Sequence, residues 1–295
     1  MTDDTPPPED APRTHTPSAG GRGAQGDGAS ERPRPIDAYR VGRRYEIPDD
    51  PWTRPHFGES GDPNAPPRKL SLRGAPATTV IVATLTLIEL AIFFLGQIDN
   101  RGLGYNRVRE DILQVFAFAP SQLIAYLHGA ADVWALVPLI SHAFLHAFLL
   151  HLVLNMFAFA ALGPPVERRT GALNFVLLFV VAAIAGALGH TAWQYGAMLL
   201  GAPGGANLLR VGLVGASGAV CGLIGFDLRR RYEAMRRLPP EMLRVTPLRW
   251  LWNASFGFIL INVALSLFGS MISGSAHLGG FVVGLVLAPL FLRRG

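Results

Sequence analysis

The sequence predicts an all-α membrane protein in which six transmembrane helices follow a long unstructured tail. Residues 74–295 contain 24 charged side chains among 222 positions, about a tenth, whereas a soluble domain carries about a quarter. Runs of about 20 apolar residues, the length that crosses the hydrocarbon core of a bilayer, recur along the same region. These two features exclude a soluble globular domain.

The first 73 residues have a different composition from the rest of the chain. They include 13 Pro and 8 Gly, a content typical of segments that do not fold alone. We therefore expect two parts, a disordered cytoplasmic tail at 1–73 and a membrane domain at 74–295.

Charge and cysteine content exclude further classes of protein. The tail carries a net charge of −1 and the apolar part +6, so the basic excess belongs to the membrane region and gives no reason to expect nucleic acid as a partner. A single cysteine excludes a disulfide framework and a multi-cysteine zinc site.

Six apolar stretches meet the length that a membrane span requires. No apolar run precedes the first, which predicts that it serves as the insertion signal and that there is no cleavable signal peptide. The predicted spans are Thr78–Gly96, Pro138–Leu162, Ala172–Leu199, Gly212–Leu228, Leu251–Phe268 and Ala276–Leu292.

The distribution of arginine and lysine predicts how these spans are oriented. Fourteen basic residues lie on the side of the two termini and four on the opposite side. Basic residues in short loops mark the cytoplasmic side. An even number of spans also returns the chain to that side, so both termini are expected in the cytoplasm.

The first outside connection, residues 97–137, is long for a loop in a compact domain. Apolar residues recur through Ile112–Leu127, a pattern that favours a helix lying at the membrane surface. A plain spacer remains the alternative.

Predicted span two contains a cluster of polar side chains, namely His142, His146, His151 and Asn155. On a continuous helix His151 and Asn155 share one face. His142 and His146 have the spacing of a metal-binding pair, but no carboxylate accompanies them. We therefore favour interhelical hydrogen bonds for those two histidines and expect no metal.

Spans four and six each combine one chemically active side chain with a glycine face. Ser217 stands in GASG at the start of span four, with Gly215 and Gly218 beside it. His277 lies one turn before a GxxxG pair, Gly280 and Gly284, in span six. Glycine faces allow helices to approach closely. If these two faces meet, Ser217 faces His277.

A serine next to a neutral imidazole is an activated nucleophile, because the ring takes the hydroxyl proton during attack on a carbonyl. The resulting oxyanion needs fixed hydrogen-bond donors. His151, Asn155 and the backbone N–H of Ser217 are suitable donors. No acidic residue is placed to orient His277, so the pattern indicates a serine–histidine dyad without a cofactor.

These motifs resemble those of the rhomboid intramembrane serine proteases. The matching pieces, in family order, are HAFLHAFLLHLVLN (142–155), GPPVERRTG (163–171), GASG around Ser217 and AHLGGFVVG (276–284). The resemblance covers about residues 136–292 and implies the six-span bacterial fold in the cytoplasmic membrane.

The resemblance also implies roles for individual residues. Ser217 would be the nucleophile, His277 the general base and acid, and His151 with Asn155 the oxyanion donors. His142 and His146 would be structural, and Glu167 would tie the cytoplasmic ends of helices together. The implied partners are membrane lipid and single-span membrane proteins, which would be cleaved in or near the transmembrane segment.

The sequence departs from the family at two positions. Many relatives carry an aromatic residue four positions after the nucleophile, where this chain has Cys221. Relatives also often carry a Trp-Arg pair in the first outside loop, whereas Trp134 is followed here by Ala135. The Cys221 departure keeps open an inactive rhomboid-like protein that binds transmembrane helices. A transporter would predict internal repeats, and none is visible.

Overall fold

In a computed structural model, the chain is described over residues 72–98, 107–268 and 273–291. These ranges are helical and contain no β-strand, although Phe118 and Leu213 form a single antiparallel bridge. The predicted tail lies outside the described residues except at its last two positions.

The described part of the chain has nine α-helices and four short 3₁₀ turns. They are α1 (Pro76–Ile98), α2 (Arg107–Phe116), α3 (Pro120–Leu127), α4 (Pro138–Ser141), α5 (Leu149–Thr170), α6 (Ala172–Leu199), α7 (Ser217–Met235), α8 (Pro247–Phe268) and α9 (Gly274–Phe291).

Four of these helices are long and apolar enough to cross a membrane, namely α1, α5, α6 and α9. The helices α7 and α8 form where spans four and five are predicted, but they fall outside that group within the described residues. The C-terminal half of α7 carries Asp227 and the arginines 229–231, which shortens its apolar length. Six spans thus remain a prediction, of which four are supported.

The predicted start of span two at Pro138 is wrong. Residues 138–144 form one short helix and a 3₁₀ turn, and Leu145 and Phe148 are extended before α5 begins at Leu149. The helix continues to Thr170 through Pro164 and Pro165. His142 and His146 therefore do not lie on the helix that carries His151. The apolar pattern of the sequence is uniform across this break and does not reveal it.

The segment predicted as one surface helix at Ile112–Leu127 contains two. Helix α2 ends at Phe116 and Pro120 starts α3, because proline is favoured in the first turn of a helix and disfavoured farther in. Phe118 lies between the two helices, fully buried, and bridges to Leu213.

Glycine contacts hold the centre of the bundle together. Gly280 of α9 packs on the backbone of Gly218 in α7, and Gly284 packs on Gly222 one turn farther along. A Cβ at Gly280 would overlap the carbonyl oxygen of Gly218. Helix α6 joins the same cluster, since Gly186 lies against Gly218 and Ala276. The helices α6, α7 and α9 therefore approach each other closely at these glycines.

Glu167 joins two helices at the opposite end of the bundle. Its carboxylate accepts hydrogen bonds from the backbone N–H groups of Ala77 and Thr78 at 2.8 and 2.7 Å and from the Thr78 hydroxyl at 2.7 Å. Both N–H groups belong to the first turn of α1, where a helix has no internal acceptors and attracts negative charge. The end of α5 thereby caps the start of α1.

We expect Gly280→Ala to lower the thermal unfolding midpoint in detergent. The added Cβ would push α9 away from Gly218, and overpacking of this kind costs about 1–3 kcal/mol or more. Gly257→Ala is the matched control, because a Cβ at Gly257 meets nothing within 4 Å and alanine favours the helix. Equal midpoints for the two variants would contradict the packing described here.

Candidate active site

Ser217 is the first residue of α7 and is partly accessible. The first N–H groups of a helix have no acceptor within it, so the N–H groups at the start of α7 are available to a bound anion. Gly215 precedes this turn with a φ of +115°, a conformation that L side chains rarely adopt. The loop conformation that presents Ser217 thus depends on a glycine.

His277 lies in the first turn of α9, at the same end of the bundle as Ser217. Its Nε2 atom is 2.8 Å from Ser217 Oγ, which is hydrogen-bond distance. The contact of Gly218 with Gly280 brings the two residues together, because Gly218 directly follows Ser217 and Gly280 lies three positions after His277.

Asn262 of α8 contacts the other side of the histidine ring. Asn262 Oδ1 lies 2.8 Å from His277 Nδ1, and Asn262 Nδ2 donates to the carbonyl oxygen of Phe258 at 2.9 Å. Sequence reasoning missed this residue. A single asparagine in an apolar run does not reveal which neighbouring helix it faces.

His151 lies in the first turn of α5, with its ring against Gly215. A Cβ at Gly215 would lie 2.5 Å from His151 Cε1 and 2.8 Å from Nε2, so glycine leaves the space that the ring occupies. The backbone N–H of Ala147 donates to His151 Nδ1 at 3.4 Å. The proton of the neutral ring is then on Nε2, the nitrogen nearer the Ser217 loop.

Asn155 lies one turn after His151 on α5 and is 5% exposed. Its Nδ2 atom donates to the carbonyl oxygen of His151 at 2.9 Å. An amide nitrogen carries two protons, so Asn155 can donate its second N–H to a bound group. His151 and Asn155 are therefore neighbours, as the spacing on a helix predicts.

His142 and His146 lie before α5 and have different surroundings. His142 Nδ1 is 2.8 Å from the carbonyl oxygen of Pro138, and the backbone N–H of Gly215 donates to the His142 carbonyl at 2.9 Å. The ring of His146 is fully buried and meets the ring of His151 edge to face, with centroids 5.2 Å apart. Neither ring nitrogen of His146 has a hydrogen-bond partner within the described residues. The prediction of interhelical hydrogen bonds is therefore wrong, since the bond of the His142 ring is to the carbonyl four residues before it.

An ion pair connects the first outside segment to this part of the bundle. Arg109 of α2 donates to a carboxylate oxygen of Glu89 in α1 at 3.2 Å. Glu89 also accepts the backbone N–H of His146, and Arg109 donates to the His146 carbonyl. Glu89 and Arg109 therefore bind the backbone N–H and the backbone carbonyl of His146, in the turn that precedes His151.

His190 of α6 supports the start of α9. His190 Nδ1 lies 3.1 Å from Ser273 Oγ, and its Nε2 lies 3.2 Å from the carbonyl oxygen of Val211. Ser273 in turn accepts the backbone N–H of Ala276 through its hydroxyl and that of His277 through its carbonyl. His190 is thus a buried histidine with a hydrogen-bond partner at each ring nitrogen.

The two positions that depart from the rhomboid pattern differ in their exposure. Cys221 is buried in α7, one turn after Ser217, while the side chain of Trp134 is 75% exposed.

Within the described residues, no three His, Cys, Asp or Glu side chains are grouped so that they could hold a metal ion.

Comparison with known proteins identifies the class to which this arrangement belongs. Residues 131–294 match the family model of the Rhomboid domain. Because that match covers more than half of the chain, the protein belongs to the rhomboid family.

Three relatives carry the name rhomboid protease GlpG. The protein of Serratia proteamaculans (strain 568) is 27% identical over 221 residues, which are 74% of this chain and 64% of the relative. Those of Yersinia pestis (strain Pestoides F) and Yersinia pseudotuberculosis serotype O:3 (strain YPIII) are each 29% identical over 149 residues, 50% of this chain and 46% of the relative. The chain thus spans about half to two thirds of the length of these relatives.

The ion pair of Glu89 with Arg109 should contribute to stability. We expect a double-mutant cycle of Glu89→Gln and Arg109→Gln to give a coupling free energy above about 1 kcal/mol, since Glu89 is nearly buried and removal of Arg109 leaves its charge uncompensated. Thermal unfolding of the four proteins in detergent measures it.

The pair of Arg229 with Glu233 is the control for this cycle. It lies in α7 with side chains 30% and 27% exposed and a separation of 2.9 Å, and such i,i+4 pairs contribute about 0.3–0.5 kcal/mol. Additive effects of Glu89→Gln and Arg109→Gln would show that the pair is not coupled.

Proposed function

We propose that the protein is an intramembrane serine endopeptidase, which hydrolyses peptide bonds in or near the transmembrane segments of membrane proteins. The observation that carries this proposal is the 2.8 Å contact of Ser217 Oγ with His277 Nε2 in a chain of the rhomboid family. Both residues lie at the start of helices that are packed backbone to backbone.

In the proposed acylation step, Ser217 Oγ attacks the scissile carbonyl carbon while His277 Nε2 takes the hydroxyl proton. The tetrahedral intermediate collapses when the C–N bond breaks, and His277 returns the proton to the leaving amine. The C-terminal fragment leaves, and the N-terminal fragment remains as an ester on Ser217. No metal or cofactor is required for this step.

The oxyanion of the intermediate would be stabilised by donors from two helices. The backbone N–H at Ser217 is free of an intrahelical acceptor, and the His151 side chain carries its proton on the nitrogen nearer that loop. Asn155 offers its second amide N–H. Each such donor contributes about 2.7–4 kcal/mol to the transition state in a site that excludes bulk water.

Deacylation repeats the chemistry with water as the nucleophile. His277 takes a proton from water, the hydroxide attacks the ester carbonyl, and the proton passes to Ser217 Oγ as the ester bond breaks. Partial exposure of Ser217 and His277 supports access of water from the outer face of the membrane.

The substrate class follows from the physical state of a peptide bond in a membrane. In a transmembrane helix each carbonyl is hydrogen-bonded within the helix, so the bond that is cut must lie where the helix unwinds easily. We propose single-span membrane proteins with small residues at that point, as the resemblance to the family implies.

We propose that the protein resides in a bacterial cytoplasmic membrane, with both termini in the cytoplasm and membrane lipid around the bundle. The arginine distribution supports this orientation. The dyad would then lie near the outer face. The N-terminal tail would be cytoplasmic.

Cleavage of fluorescent single-span substrates by the detergent-purified protein tests the function. A panel with small residues at an unwinding-prone position is compared for the parent, Ser217→Ala and His277→Ala. We expect both substitutions to lower kcat/KM by at least about 10³-fold, because the serine and histidine act as one unit.

Two control variants accompany this assay. Ser255→Ala removes another serine hydroxyl in α8, and His128→Ala removes an exposed histidine at the end of α3, so both should cleave at about the parental rate. A parent that binds the substrate helices but leaves all of them intact would favour an inactive helix-binding protein. A Ser217→Ala variant that cleaves at the parental rate would refute the dyad.

A further inference from the structure

Asn262 is buried in the apolar part of α8 and is 8% exposed. Burial of an amide in a membrane span costs free energy unless its donors and acceptor are satisfied. Among the contacts that meet this need are one to Phe258 on its own helix and one to His277 on α9. The contact with His277 crosses between helices.

The contact with Phe258 determines which end of the amide faces the histidine. A carbonyl oxygen accepts hydrogen bonds, so the Asn262 atom that lies 2.9 Å from the Phe258 carbonyl must be the nitrogen. The amide oxygen therefore faces His277 Nδ1 at 2.8 Å. The reverse orientation would place two oxygens against each other.

This orientation also determines the tautomer of His277. An oxygen acceptor at Nδ1 requires the ring proton on that nitrogen, and a neutral imidazole carries only one. The Nε2 atom then has a free lone pair directed at the Ser217 hydroxyl, 2.8 Å away. A general base needs its lone pair in this position.

Aromatic packing holds the two helices in register at this point. Phe258, one turn before Asn262, stacks on Phe281, one turn after His277, with ring centroids 4.1 Å apart and an interplanar angle of 14°. The position four residues after Ser217, where relatives often carry an aromatic ring, is Cys221 in this chain. The contact of α8 with α9 supports the imidazole from another direction.

We propose that Asn262 is the positioning residue of the active site, which holds His277 in the tautomer and orientation needed to accept the Ser217 proton. This inference rests on the proposed peptidase function and adds a third member to the dyad. When the imidazolium forms, its Nδ1–H donates a charge-assisted hydrogen bond to the amide oxygen, which is stronger than the bond in the resting state.

An amide suits this position better than the aspartate of soluble serine proteases. A carboxylate within a membrane span costs about 2.5–3.5 kcal/mol on insertion scales, whereas asparagine is neutral. The amide also satisfies Phe258 and His277 at once, which a carboxylate without a donor does not.

The experiment compares Asn262→Leu and Asn262→Asp with the parent by cleavage of the fluorescent substrates and by thermal unfolding. Leucine is close in size but removes the acceptor, so we expect kcat to fall by roughly tenfold to a hundredfold, the range associated with a misplaced catalytic group, with little change in KM. Aspartate keeps an acceptor at Nδ1 and should retain more activity than leucine.

The ranking of the two variants separates positioning from structural support. A purely structural role would favour leucine, which is apolar and fits a membrane span, over the charged aspartate. Asn174→Leu is the matched control, because Asn174 makes the same type of bond to the carbonyl four residues back, at 3.0 Å to Thr170, in α6. It should cleave at about the parental rate.

Two results would overturn the inference. One is an Asn262→Leu variant with the parental kcat, and the other is a set of activities that follow the unfolding midpoints with leucine above aspartate. A parent without activity in this assay would refute the proposed function itself, so the two failures are distinguishable.

Discussion

The structure depends on the direct contact between the backbones of α7 and α9. Gly218 and Gly280 leave no side chain between the helices at this point. Ser217 and His277 both lie within one turn of this contact. The separation of Ser217 Oγ and His277 Nε2 is therefore fixed by the rigid centre of the bundle, where helices associate by close packing because lipid provides no hydrophobic driving force. A substitution that separated the helices would also separate Ser217 from His277.

A second constraint is that polar groups in a membrane must find partners within the protein. Glu167 meets it by capping the first turn of α1, and Glu89 with Arg109 by holding the peptide groups around His146. Asn262 satisfies a helix carbonyl and the imidazole of His277 together. Glu89, Arg109 and Asn262 lie near the residues around Ser217 and His277, so polar groups that the membrane makes costly also set the geometry at this end of the bundle.

Much of the fold and the proximity of Ser217 to His277 could be predicted because the signals are local. Apolar length gives α1, α6 and α9, and glycine patterns beside Ser217 and His277 indicate which helices approach closely. The break before Leu149 could not be predicted, since hydropathy does not distinguish a short helix and an extended turn from one long span. Asn262 was missed for a related reason. Its role depends on the rotation of α8 relative to α9, which is determined by packing such as that of Phe258 on Phe281.

The most direct test of the central claim is to find which residue becomes covalently modified by a serine-reactive fluorophosphonate. Intact-mass measurement and peptide mapping would be carried out on the protein in lipid vesicles and after denaturation. The account predicts one adduct per chain, on Ser217, that requires the folded protein and is lost in His277→Ala. Absence of an adduct on Ser217 in the folded parent, or equal modification of folded and denatured protein, would contradict it.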